Sequence, residues 1–218
     1  MIRVKICCIS TVAEANLAVK YGASALGLVS EMPSGPGVID EETIADIAFM
    51  VPPAVSTFLL TSKQNTREII EQHRKCGTST IQLCDRVAAE SHIQLKASLP
   101  GIKIVQVIHV AGEESVNEAV EISSRVDAIL LDSGNQLVQI KELGGTGRTH
   151  DWGISKKIVD AVNCPVFLAG GLNPENVAEA IAKVKPFGVD ICSGVRSHGK
   201  LDEPKLRRFF ESINSTYR

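Results

Sequence analysis

Short apolar runs rich in β-branched residues take turns along the chain with longer stretches whose apolar positions recur at i, i+3, i+4 and i+7. The short runs predict strands over residues 3–7, 25–29, 55–60, 80–83, 102–109, 128–131, 166–169 and 189–192. Between them, Ile44, Ile47, Ala48 and Val51 mark one helical face, Val177, Ala180, Ile181 and Val184 a second, and Leu206, Phe209, Phe210 and Ile213 a third. Three helix starts are also written in the sequence: Asp40 before Glu41 and Glu42, Asn173 before Pro174, and Asp202 before Glu203 and Pro204. In each, a side-chain oxygen can cap orphan amides, acidic charge suits the helix dipole, or proline occupies a first-turn position that needs no amide partner. Eight strand–helix repeats predict an α/β protein, a single (β/α)8 TIM barrel. An open doubly wound sheet alternates in the same way, but it typically has fewer parallel strands and often a glycine-rich turn after the first strand, which this sequence lacks. With no linker, repeat or low-complexity segment, residues 1–218 are expected to form one domain.

Composition narrows the partners. With 44% hydrophobic residues among 218, the chain can bury a full core. A net charge of -2, with no Lys/Arg block interleaved with aromatics, argues against nucleic acid. No apolar run approaches the roughly 20 residues of a membrane span, and MIRVKICC has no signal-peptide pattern. A cytoplasmic protein, monomer or homodimer, is the expectation. The six cysteines are scattered through apolar runs without a CxxC pair or a histidine cluster, so reduced thiols are expected and zinc is not.

In a barrel of this kind the chemistry sits at the C-terminal ends of the strands. There the sequence places Cys7 and Cys8, Cys84 and Asp85, His109, Asp132, Gly170 and Gly171, and Ser193 and Gly194. Small residues in "LAGGLNPENV" and "DICSGV" let backbone amides approach an anion, which points to phosphate; tight strand-to-helix turns would need the same glycines. Asp132 ends the apolar run "AILL", where burial favours its protonated form and a general acid; an aspartate that opens the next loop by bonding backbone amides is the competing reading. Cys7 shares a strand face with Lys5, whose ammonium would favour thiolate and a general base; a small core filler is the alternative. The connection "SGNQLVQIKELGGTGRTHDW" is long enough to be a lid, hinged at Gly145 and Gly147 and carrying Arg148 toward an anion, or else a plain surface loop. His109 reads as a hydrogen-bonded strand-end histidine, with a part in the chemistry as the alternative.

Taken together, "VKIC", "YGASALGLV", "IQL", "ILLDS", "GGTGRTHDW", "LAGGLNPENV" and "PFGVDICSGV" resemble the phosphoribosylanthranilate isomerase family of tryptophan biosynthesis almost end to end. The resemblance implies a cofactor-free Amadori rearrangement of a phosphosugar, converting N-(5-phosphoribosyl)anthranilate to the 1-deoxyribulose 5-phosphate aminoketose. It casts Asp132 as the acid that opens the ribose ring, Cys7 as the base at C2, and Gly170, Gly171, Ser193 and Gly194 as phosphate ligands. Departures fall at the other end of the substrate. Cys8 replaces the glycine of the family's "KICG", "QLCD" replaces "QLHG", and "PSGPGVI" has Gly37 where the family carries an arginine for the anthranilate carboxylate. Losing such a contact costs about 1.5–3 kcal/mol, one to two decades in affinity. Arg148, Lys96 or another cation is a candidate replacement. A divergent paralogue acting on another phosphoribosyl amine, and a non-catalytic phosphosugar-binding barrel, are the alternatives.

Overall fold

Eight parallel strands close on themselves in sequence order: β1 (Arg3–Ile6), β2 (Ala25–Val29), β3 (Ser56–Thr61), β4 (Thr80–Leu83), β5 (Lys103–His109), β6 (Ala128–Asp132), β7 (Val166–Leu168) and β8 (Gly188–Ile191). The helices are α1 (Val12–Lys20), α2 (Glu41–Met50), α3 (Thr66–Cys76), α4 (Ala89–Ser98), α5 (Glu114–Ser123), α6 (Trp152–Ala161), α7 (Val177–Val184) and α8 (Glu203–Ser215). Before α8, a short antiparallel pair forms from β9 (Arg196–Ser197) and β10 (Lys200–Leu201). The computed structural model describes residues 2–134, 141–143 and 147–216. This is the expected (β/α)8 TIM barrel, with every predicted strand in place to within a residue or two.

Alternation along the strands divides the apolar residues into two cores. One side packs Ile6, Leu26, Leu59, Ile81, Ile104 and Ile129 against the helices, where Ile44, Ile69, Leu95, Ile158, Phe209 and other stripe residues meet them. The other side fills the barrel with Phe58, Leu60, Val105, Val107, Leu130 and Phe167. Phe58 and Phe167 meet edge to face with centroids 6.0 Å apart. This interior plug supports a floor on which the polar residues at the strand ends stand.

Two of the three helix starts follow the sequence. Asp40 accepts from the Thr43 amide at 2.7 Å and Asp202 from the Lys205 amide at 3.0 Å. The helix expected at Pro174 instead begins at Val177. Asn173 Oδ1 accepts from the amides of Glu175 and Asn176, closing a separate turn before the helix can start. Among the described residues, no helix is long and apolar enough to cross a membrane.

Candidate active site

Strand register brings the first buried charges together. β1 lies between β2 and β8, with Lys5 opposite both Ala25 and Asp190. The Lys5 ammonium, fully buried, donates to Asp190 Oδ1 at 2.9 Å. Burial pulls the Lys5 pKa down, but the Asp190 carboxylate, followed by the Cys7 sulfur, holds it above the ordinary value. Burial raises the Asp190 carboxyl, against the opposing pull of the ammonium. Gly27 leaves space for this arrangement, since a Cβ there would lie 2.8 Å from Cys7 Sγ and 3.0 Å from Lys5 Nζ. The thiol and the ammonium therefore press on the same bare stretch of β2, as the period-two reading of Lys5 and Cys7 expects.

Cys7 follows β1, its amide donating to Ile191 O at 2.8 Å, and it is 6% exposed. Its pKa falls below that of an ordinary thiol: a hydrogen bond from the Cys8 thiol favours thiolate most, burial opposes it, and Lys5 adds a further downward pull. Cys8 is pushed the other way, by its bonds to Cys192 and Cys7 and by burial, so it remains a thiol. Cys84 is raised as well, chiefly by burial. Of these three thiols, Cys7 alone is shifted toward thiolate.

Cys8 carries a φ of +61°, in the left-handed region where glycine is at ease. Arg196 pins it there, donating to the carbonyls of Cys7 and Cys8 and to both carboxylate oxygens of Glu14. Across the mouth, Gly37 has a φ of +78°, and a Cβ there would lie 2.5 Å from Cys8 Cβ and 3.2 Å from its sulfur. The two departures noted at 8 and 37 are thus one exchange: the side chain at position 8 takes the room that any side chain at 37 would need.

Asp132 ends β6 opposite His109 on β5. Burial lifts its carboxyl above the usual range, while the Ser133 amide, donating to Oδ1 at 2.7 Å, and His109 oppose the rise. Asp132 therefore caps the amide that follows it and also lines the cavity. His109 Nε2–H donates to Cys84 O at 3.1 Å, which accounts for it as a strand-end histidine. Gln82, buried beside Cys84, offers an Oε1 with no hydrogen-bond partner. Neither Gln82 nor Asp190 was singled out from sequence, although a polar residue at the inward position of an otherwise apolar strand is a readable signal.

Cys7, Cys8, Gln82, Asp132, Asp190 and Cys192 all border one cavity at the C-terminal ends of the strands. Its far wall is made by Gly170, Gly171 and Ser193. Gly170 and Gly171 have φ of +81° and +62°, and a Cβ on Gly171 would come within 2.6 Å of the Arg148 backbone. A Cβ on Gly194 would come within 2.2 Å of Leu172 O. The glycines therefore permit tight turns and a close approach of three loops, with Gly170 and Gly171 beside the cavity. Asn176 Nδ2 donates to Gly171 O at 3.0 Å, tying this loop to the start of α7.

Of the expected lid residues, Gly147 borders the cavity and Arg148 pairs with Glu142, while Gly145 lies outside the described residues. Lys141 Nζ lies 2.6 Å from Asp85 Oδ2, and Ser34 Oγ donates to Lys141 O at 2.6 Å, so residue 141 spans the mouth between the loops after β4 and β2. Lys96 is excluded as a replacement cation: it pairs with Asp127 at 3.4 Å, just ahead of β6 and at the opposite end of the barrel from the cavity. Among the described residues, no group of three or more His, Cys, Asp or Glu is arranged to hold a metal ion.

Residues 4–212 match the family model described as N-(5'phosphoribosyl)anthranilate (PRA) isomerase. The chain is 39% identical over 217 residues to N-(5'-phosphoribosyl)anthranilate isomerase 2 of Methanosarcina mazei, covering 99% of this chain and 95% of that one. The crystal structure of phosphoribosyl anthranilate isomerase from Thermotoga maritima superposes with a TM-score of 0.85 at 29% identity, covering 99% of this chain and 100% of that one. A crystal structure of a phosphoribosyl anthranilate isomerase in complex with reduced 1-(o-carboxyphenylamino)-1-deoxyribulose 5-phosphate gives a TM-score of 0.83 at 28% identity, with 99% and 100% covered. With a closed eight-stranded barrel and a family match over nearly its whole length, the chain belongs to the N-(5'-phosphoribosyl)anthranilate isomerase family.

Proposed function

We propose that residues 1–218 act as one barrel domain, a cytoplasmic enzyme that isomerises N-(5-phosphoribosyl)anthranilate by Amadori rearrangement without a cofactor. The observation that carries this reading is the pairing, around one cavity, of a buried carboxyl whose pKa burial raises with a thiol whose pKa its neighbours lower. Asp132 gives its proton to the ribose ring oxygen, and the C1–O bond breaks to leave an open-chain iminium. The Cys7 thiolate then removes the proton from C2, and the electron pair moves to neutralise the iminium as an enolamine. Tautomerisation gives the ketone. The phosphate lies at Gly170, Gly171, Ser193 and Gly194, with Gly147 and Arg148 closing over it.

The test is loss of anthranilate-type fluorescence from freshly generated phosphoribosylanthranilate. Cys7→Ser and Asp132→Asn are each expected to lower kcat by at least a hundredfold while leaving inorganic phosphate binding within threefold. Wild-type turnover no faster than Asp132→Asn would refute the assignment. The Cys8–Gly37 exchange favours a second reading, in which the same chemistry acts on a phosphoribosyl amine without a carboxylate. Turnover of an N-(5-phosphoribosyl) amine lacking a carboxylate, without consumption of phosphoribosylanthranilate, would select it.

A further inference from the structure

We propose that Cys8 and Cys192 form a reversible oxidation site at the barrel mouth, which a low-molecular-weight disulfide converts into an internal disulfide that disables Cys7. The two sulfurs are 2.7 Å apart, inside ordinary sulfur–sulfur contact and within about 0.7 Å of a covalent S–S bond. They stand on neighbouring strand ends, where the bond from Cys7 N to Ile191 O fixes the spacing of β1 and β8. Three further features place the Cys8 thiol there at a conformational cost. Its backbone occupies the left-handed region, Arg196 clamps the adjoining carbonyls, and Gly37 presents no side chain toward it. A core filler would not need these supports. Cys192 is partly exposed and borders the same cavity, which gives a small reagent a path to it.

The exchange balances without any further reactant. Cys192, as thiolate, attacks one sulfur of the disulfide RSSR, breaking its S–S bond and releasing RS⁻. Cys8 passes its proton to that thiolate and attacks the Cys192 sulfur, expelling the second RS⁻. This takes up the proton Cys192 gave up. Two protein thiols and one RSSR become one protein disulfide and two RSH. Cys8 then has no proton to donate to the Cys7 sulfur, the contact that most favours thiolate there. The new bond also stiffens the chain next to Ser193.

The loss of turnover rests on the isomerase reading above, whereas the crosslink and its effect on Cys7 are read without it. Wild-type protein is incubated with glutathione disulfide and followed by intact mass, peptide mapping, alkylation of Cys7 by iodoacetamide, and turnover. Expected are the loss of two hydrogens and a crosslink between the tryptic peptide 6–20 and the one containing Cys192, with fragmentation assigning it to Cys8. Cys7 alkylation and kcat/KM should each fall at least fivefold and return with dithiothreitol. Cys192→Ser should keep its own starting values under the same oxidant. The proposal is overturned if no such crosslink forms, if glutathione remains on Cys7 as the sole product, or if crosslinked protein alkylates at the reduced rate. Reduced protein that never consumes phosphoribosylanthranilate defeats the isomerase reading alone, because mass and alkylation still decide this site.

Discussion

Restoring an arginine at position 37 tests the exchange between Cys8 and Gly37 most directly. Even Gly37→Ala puts a side chain on a φ of +78°, worth about 1–2 kcal/mol, and drives its Cβ to 2.5 Å from Cys8 Cβ, an overpacking worth about 1–3 kcal/mol more. Together these predict a loss of about 2–5 kcal/mol, visible as a lower urea midpoint in circular dichroism. In a Cys8→Gly background the 2.5 Å overlap is removed, leaving the backbone term and a 3.0 Å approach to the Cα at position 8. Cys8→Gly itself relieves a φ of +61° and gives up a buried thiol, so its own effect should be small. The cycle therefore predicts a coupling of about 1–3 kcal/mol between the positions. The same logic extends to function: Gly37→Arg should lower KM for phosphoribosylanthranilate by one to two decades only when combined with Cys8→Gly, since a charge-assisted contact is worth about 1.5–3 kcal/mol. Unfolding energies that add to within about 0.5 kcal/mol would refute the exchange, as would an equal KM gain with Cys8 retained.

Lys5→Met should cost about 3–5 kcal/mol in urea unfolding by leaving the Asp190 carboxylate buried without its partner, and should move the pH midpoint of Cys7 alkylation upward; an unmoved midpoint would remove Lys5 from the account of the thiolate. His150, whose pKa burial lowers to about 4, takes up a proton on unfolding at any pH between about 4 and its ordinary 6.5. Stability should thus be constant above that window and fall as pH drops through it, and His150→Phe should reduce the loss between pH 7 and 4.5 by about 2 kcal/mol; identical losses in both proteins would count against it.

The barrel was legible because each strand carries its own local signal, and the end of each strand then gives a position at the mouth. That rule placed Cys7, Asp132 and the glycine loops at the mouth, and the family resemblance supplied the roles expected of them. What escaped were relations across the closure. Asp190 lies 185 positions from Lys5, and Arg196 lies 188 from Cys8, so neither contact has any local signature. The start of α7 was misplaced for a different reason: Asn173 can cap a helix or close a turn with the same oxygen, and only the loop packed against Gly171 decides between them. Substitutions at 8 and 37 looked like separate departures because sequence records which residues differ, not which of them compete for one volume.

The Arg196 clamp on the carbonyls of Cys7 and Cys8 has a consequence for the order of events during synthesis. The proposed base leaves the ribosome 189 residues ahead of the guanidinium that shapes its backbone. A nascent chain holding the first seven strands would expose an unclamped thiol pair and have no competent site. Activity would then appear only as the final strand and the hairpin behind it arrive.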